Sequence, residues 1–284
     1  MNENLIRSIR KLRLSGMLES LDIRLQEAAG HNLPHAEFLE LIVQDEMNIR
    51  QQRLVERRNR AARFRETRTL EDFDFSFNTS IKRPVIFELA SCRFIREQRD
   101  VLFIGPPGVG KSHLAQALGR QAVKAGFTVL YRSVFDAVRE LRADEALEDG
   151  MLRKYLKADL LIIDDMGLKH LPANAGEYLF EVIMRRYENR STIMTSNRPV
   201  EEWGKLIGDV PSATAILDRF LHHAEIINIT GRSYRLRERA GKTLAANIIF
   251  LQQLFFTSSL KSPSAAMDSL STLTCRCACD SLCA

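Results

Sequence analysis

The chain has 284 residues, of which 41 are Lys or Arg and 36 Asp or Glu, for a net charge of +5. That length holds one full domain with an appendage, and 45% hydrophobic with 27% charged residues excludes wholesale disorder. The mild positive balance permits a polyanionic partner without requiring one.

The first seven residues lack the apolar core of a signal peptide. The most apolar late stretch, residues 248–256, is interrupted by Gln252 and Gln253 and is too short to span a bilayer. A cytoplasmic location with no membrane contact is the expectation.

Residues 1–70 read as a small all-α domain. Leu18, Leu21 and Leu25 recur at helical spacing, with Gly30 as a stop. Pro34 opens a second helix whose apolar face includes Phe38, Leu41, Ile42 and Ile49. That helix runs into a charge block over residues 50–68, where eight arginines face two glutamates. Arg50, Arg53, Arg57 and Arg60 fall three or four apart and share one helix face, which suits contact with phosphates of duplex DNA. Few aromatic residues interleave, so base stacking is not indicated and binding is expected to be largely sequence-tolerant. A solvated helix face is the alternative. A second basic cluster follows near Arg232, Arg235, Arg237, Arg239 and Lys242.

A connector follows, with Phe73, Phe75 and Phe77 at alternate positions and Pro84 opening a helix. From about 101 the pattern becomes that of a parallel α/β sheet. Strands are predicted at 101–104, 128–132, 160–163, 192–195 and 225–229, with a helix after each of the first four. This core, 71–245, is predicted as one domain. Residues 246–284 read as an atypical, disordered tail. Its crowded Cys275, Cys277, Cys279 and Cys283 could supply four thiolates to zinc, although the spacing is not that of paired knuckles. A frameshifted or read-through end is the preferred explanation. Residues 1–256 contain only Cys92, so no disulfide framework is expected there.

Gly105, Pro106, Pro107, Gly108, Val109, Gly110, Lys111 and Ser112 match the phosphate-binding loop G-x-x-x-x-G-K-[ST] without a mismatch. A strand precedes it and a helix follows, as the chemistry requires. The glycines let backbone N–H groups face phosphate oxygens at a helix N-terminus. Lys111 is assigned to the β/γ-phosphates of ATP and the Ser112 hydroxyl to Mg²⁺. Asp164 and Asp165 end an apolar strand, where open α/β sheets place their chemistry. Asp164 is assigned to Mg²⁺ and Asp165 to a general base for the attacking water. One helix, one strand and one helix fit between Lys111 and Asp164. The next strand ends in Thr195, Ser196 and Asn197, where a polar group could orient the water. Arg219 sits on a short helix and could serve another subunit's γ-phosphate, or simply pair with Asp218 at the surface.

These motifs in this order resemble the AAA+ ATPases and, more closely, the IstB-like helper ATPases of insertion-sequence transposition, a group related to DnaC and DnaA. The residues that carry the resemblance are Phe73 to Phe75, the loop from Gly105 to Ala115, the strand from Leu161 to Gly167, Arg186 to Glu188, Thr195 to Arg198, Ala215 to Arg219 and Gly231 to Arg235. The resemblance implies an AAA+ P-loop core with a five-stranded parallel sheet, the strand ending in Asn197 lying between those of Lys111 and Asp164. It implies Asn197 as sensor, Arg219 as arginine finger and Arg235 as a basic sensor. It further implies ATP-dependent self-assembly on DNA and stimulation of a transposase. Family members usually end the third strand in Asp-Glu, and the shorter Asp165 points to slow hydrolysis. A DnaC-like helicase loader, a self-contained P-loop kinase and a non-hydrolysing ATP sensor are the rival readings. The base-reading Asn-Lys-x-Asp motif of GTPases is absent.

Overall fold

The computed structural model describes residues 3–144, 150–168, 170–172, 174–207 and 210–237. The expectations for residues 246–284, including the four late cysteines, lie outside the described residues. The chain divides into two compact units, Met1–Arg232 and Ser233–Ala284. Of the second unit, residues 233–237 are described: a helical turn over 234–237 with Arg237 lying 5.9 Å from the Tyr234 ring centroid.

The first unit opens with three helices, α1 (Glu3–Lys11), α2 (Ser15–His31) and α3 (His35–Ala62). The first 31 residues therefore form two helices. The break falls at Arg13, whose φ of +58° is left-handed. Helix α2 runs one residue past Gly30 and is closed by Asn32 in the left-handed region, a residue type that tolerates this conformation. Ile9, Leu21 and Ile42 form their shared core, with Leu18 and Phe38 packed against it, whereas Leu25 is 42% exposed.

Two short helices, α4 (Arg83–Ala90) and α5 (Arg93–Arg96), precede the sheet, and Pro84 lies in the first turn of α4 as expected for a residue without an N–H to satisfy. The sheet strands are β1 (Asp100–Ile104), β2 (Val129–Ser133), β3 (Leu160–Met166), β4 (Ser191–Ser196) and β5 (Ala224–Asn228). All pairings are parallel, in the order β2-β3-β4-β1-β5. Each predicted strand is present within a few residues, and β4 lies between β1 and β3. The connections are α6 (Lys111–Lys124), α7 (Val134–Asp144), α8 (Gly150–Lys157), α9 (Ala175–Arg186), α10 (Trp203–Ile207) and α11 (Val210–His222). The span between β2 and β3 thus holds two helices where one was predicted.

Alternating strand residues divide between two cores, as they must when both faces are covered. Val101, Phe103, Leu160, Ile162 and Ile193 pack with α4, α5 and α6 on one face. Leu102, Leu130, Leu161, Ile163 and Met194 pack with α7 to α11 on the other. Cys92 is buried in the first core as a free thiol. Among the described residues no helix is long and apolar enough to cross a membrane.

Candidate functional site

The loop over residues 105–110 leaves the C-terminal end of β1 and enters α6 at Lys111. Its first residue is tied to β4, because the Gly105 N–H donates to Ser196 O at 3.2 Å. It is also pressed against the exit of β5. A Cβ on Gly105 would lie 2.0 Å from Ile229 O, a distance no side chain can survive. Gly110 has φ of +104°, and a Cβ there would come within 2.6 Å of the Phe73 ring. Phe73 packs edge-on against Phe75 and His113, with centroids 4.9 and 5.1 Å apart, so the connector builds a wall behind the loop. His113 is held in turn by Thr69 O at 2.7 Å from Nε2, and burial lowers its pKa.

Lys111 is buried, with its Nζ 2.7 Å from Gly105 O and 2.8 Å from Pro106 O. Two neutral carbonyls thus accept from the Lys111 ammonium. An anionic oxygen at the same place is the stronger partner. The free amides of the first α6 turn and the positive end of that helix add to the attraction.

Asp164 is completely buried and receives three hydroxyls. Ser112 Oγ lies 2.8 Å from its Oδ1, Thr195 Oγ1 donates to the same oxygen, and Tyr131 OH lies 2.5 Å from Oδ2. The two strands flanking β3 supply Tyr131 and Thr195, and these donors replace the water that burial removes from the carboxylate. Burial, then the Asp164 charge, drives the Tyr131 hydroxyl far above its ordinary pKa, so it remains a donor. Ser112 and Asp164 together present hard oxygens, the donor type that Mg²⁺ selects.

At Asp165 the β3–β4 register shifts and the backbone takes φ of +67°. This bulge turns the Asp165 carboxylate away from the course of the strand. Its N–H donates to Thr195 Oγ1 at 3.1 Å, and its Oδ2 meets Arg65 Nη1 at 3.0 Å. Asn197 follows β4 directly, half-buried, with its N–H donating to Met166 O at 2.9 Å. Lys111, Ser112, Asp164, Asp165 and Asn197 are therefore brought together at the C-terminal end of the sheet.

Arg219 is not part of that group. It is exposed near the end of α11, three residues before the helix stops at His222 and β5 begins. Its guanidinium lies 5.6 Å from the centroid of Tyr187, which follows α9 just before β4. Tyr187 OH and His222 Nδ1 are 2.8 Å apart, His222 Nδ1 and His223 Nε2 are 3.0 Å apart, and Glu188 Oε1 lies 3.3 Å from His223 Nε2. All of these precede a strand, so they lie at the N-terminal end of the parallel sheet. A five-residue strand puts about 16 Å between the two ends.

On α3, Arg50, Arg53, Arg57 and Arg60 are all exposed. Arg50 pairs with Glu46 at 2.6 Å and Arg53 with Glu19 at 2.7 Å, whereas Arg57 and Arg60 carry no ion pair among the described residues. Arg235 is exposed in the second unit. Sequence reasoning missed Tyr131 and Arg65, which help to hold the carboxylates of β3. Only the strand register, with Ser133 opposite Asp164, brings the first of them into reach.

The family model of IstB-like ATP binding proteins matches residues 7–242. The chain is 39% identical over 241 residues to a protein of Geobacillus stearothermophilus assigned as the ATP-binding protein of insertion sequence IS5376, covering 84% of this chain and 96% of that one. It is 42% identical over 243 residues to the corresponding IS21 protein of Pseudomonas aeruginosa, covering 84% and 89%. In fold it is similar to the crystal structure of DnaI, with a TM-score of 0.50 and 23% identity over 58% of this chain and 92% of that one.

Proposed function

The chain belongs to the family of IstB-like ATP-binding proteins of insertion sequences, and we propose that it is an ATP-dependent, DNA-binding regulator of transposition that hydrolyses ATP between neighbouring copies and stimulates a transposase. The observation that carries this reading is the division of its residues. The nucleotide-facing set lies at one end of the sheet, and an exposed, aromatic-braced Arg219 lies at the other. An arginine in that position is of no use to its own nucleotide and is presented to a second copy.

In this reading Gly105, Pro106, Pro107, Gly108, Val109 and Gly110 wrap the phosphates with backbone N–H groups, and Lys111 leaves its carbonyl partners for the β/γ-phosphates. Ser112 and Asp164 hold Mg²⁺, which supplies charge neutralisation at the phosphates. Asp165 polarises the attacking water and Asn197 orients it. Arg219 from the neighbour offsets charge developing on the γ-phosphate. Asp165 is one methylene shorter than the usual glutamate and is engaged by Arg65, so turnover is slow relative to binding. Arg235 is assigned to the nucleotide as a second basic group. Residues 1–70 are the DNA- and partner-binding domain and 71–245 the ATPase domain. Arg57 and Arg60 lead the contact with duplex DNA, while Arg50 and Arg53 must first exchange their glutamates for phosphates.

The test is the ATPase rate against protein concentration, with and without duplex DNA, on wild type and Arg219→Ala. The reading expects a specific rate that rises with concentration and with DNA and collapses in the variant while nucleotide binding survives. A rate per chain that is flat, indifferent to DNA and untouched by the substitution sinks it.

A further inference from the structure

Beside the nucleotide end of the sheet, outside the loop that encloses Lys111, lies a cavity of about 440 Å³. Arg63 and Arg65, just beyond α3, line one side, while Arg132 at the end of β2 and Arg139 on α7 line the other, with Asp136 and Glu140 between them. Four guanidinium groups against two carboxylates leave the wall positive. Burial, together with the charges of Arg132 and Arg63, also holds the neighbouring Lys154 ammonium below its ordinary pKa.

Arg132 is the informative residue. It is only 4% exposed, its Nε meets both carboxylate oxygens of Glu140 at 2.9 Å, and its Nη1 donates to Tyr131 O at 2.6 Å. Its Nη2 is buried with no hydrogen-bond partner among the described residues. Folded proteins rarely leave such a donor unsatisfied. Glu140 engages Arg132 through Nε rather than Nη2, and its Oε2 also accepts from Tyr155 OH at 2.9 Å. Arg63 comes no closer to Glu140 than 3.8 Å, and Arg139 holds Asp136 at 3.4 Å while Ser133 Oγ takes the other oxygen of that carboxylate at 2.7 Å. Arg63 and Arg139 thus bring weakly committed guanidinium charge to the cavity, and Arg132 an unpaired N–H, which match the oxygens of a tetrahedral oxyanion.

We propose that this cavity is a phosphate-binding site in which Arg63, Arg132 and Arg139 hold a phosphate group, either of a DNA backbone or of a free phosphoanhydride. Arg65 links it to the nucleotide site, because it lines the cavity and pairs with Asp165 at 3.0 Å. A phosphate in the cavity competes with Asp165 for Arg65 and frees that carboxylate. The coupling to turnover rests on the function proposed above, and the binding does not.

The experiment uses the full chain with its P-loop saturated by a non-hydrolysable ATP analogue, whose binding is measured first. Inorganic pyrophosphate is then titrated calorimetrically, and labelled duplex DNA is titrated across a salt series by anisotropy. The variants are Arg63→Gln with Arg139→Gln, both at exposed positions, and Arg132→Lys, which keeps the charge but removes Nη2. We expect one pyrophosphate per wild-type chain, bound about tenfold more weakly in the double variant, and a DNA salt slope lowered by about 1 for each phosphate no longer neutralised. Pyrophosphate binding that responds without a change in DNA affinity identifies free phosphate as the source, and the reverse identifies the DNA backbone. No pyrophosphate bound by wild type, together with DNA affinities equal in all variants, overturns the site. For the coupling, Arg65→Gln should raise DNA-independent turnover and shrink the DNA stimulation, and an unchanged ratio removes it. A wild type without turnover defeats the ATPase reading while the two titrations still decide the site.

Discussion

The two ends of the sheet are built on opposite principles. At the C-terminal end, the nucleotide-facing polar groups are buried and hydrogen-bonded: Asp164 accepts from three hydroxyls and Lys111 donates to two carbonyls. At the N-terminal end, Arg219, Glu188 and His222 are exposed and linked by a loose chain of contacts. A buried, fully bonded constellation is pre-organised and loses little on meeting its ligand. An exposed one is organised only when something covers it. The contrast suits the proposed sharing of one nucleotide between two copies, in which each chain would offer a finished cradle and an unfinished complement.

The sharpest way to break this contrast is Arg219→Ala. If the exposed end completes a neighbour's site, turnover should fall about a thousandfold, the scale of an arginine finger, with nucleotide affinity almost unmoved. Lys111→Ala strikes the finished end and should show the opposite signature, a loss of roughly a hundredfold in nucleotide affinity by equilibrium titration, since a charge-assisted contact to phosphate is removed. Tyr187→Leu removes the aromatic brace beneath Arg219 and should lower kcat about tenfold at constant KM, while Tyr187→Phe keeps the ring and most of the rate. A purely structural Tyr187 would instead lower thermal stability without separating kcat from KM.

The smallest expected effect concerns Asp100, the first residue of β1 at the open end. Its Oδ1 accepts the Thr192 N–H at 2.6 Å, yet burial pushes its pKa from 3.8 up to about 7. The folded chain therefore holds this proton more tightly than the unfolded chain. Its contribution to stability is full below 3.8 and is lost as pH rises through about 7. Asp100→Asn keeps the acceptor and removes the titration, so the decline in Tm across that window should flatten by a few degrees, at about 2–4 °C per kcal/mol for a domain of this size. An unchanged pH profile would mean that the Asp100 proton is already lost near 4.

Much of this was legible in the residues because the signals were local. A strand covered on both faces is a short apolar run, and the runs at 101–104 and 160–163 lie inside β1 and β3. The P-loop is contiguous, and its flanking strand and helix are immediate neighbours. What escaped was set by distant partners. Nothing near Tyr131 announces that its hydroxyl meets Asp164 on the next strand, and nothing near Arg65 announces Asp165, a hundred residues onward. The arginine face of α3 was visible as periodicity, but Glu19, which engages Arg53 from α2, belongs to the packing of two helices. The region between β2 and β3 was read as one helix because α7 and α8 are both amphipathic and no proline separates them.

The parallel order of the sheet also sets a schedule for the nascent chain. The strand that carries the phosphate loop is flanked by β4 and β5, which begin at Ser191 and Ala224. No local hairpin can hold β1 while it waits, and a strand edge left unpaired invites association. At synthesis rates of about 5–20 residues per second, β1 emerges roughly ten seconds before its second neighbour exists. Gly105, whose backbone is pinned by Ser196 and pressed on Ile229, cannot reach its final form until nearly the whole first unit has left the ribosome. Premature truncation anywhere before β5 should therefore yield chains that hold no nucleotide and expose an apolar sheet edge to quality control.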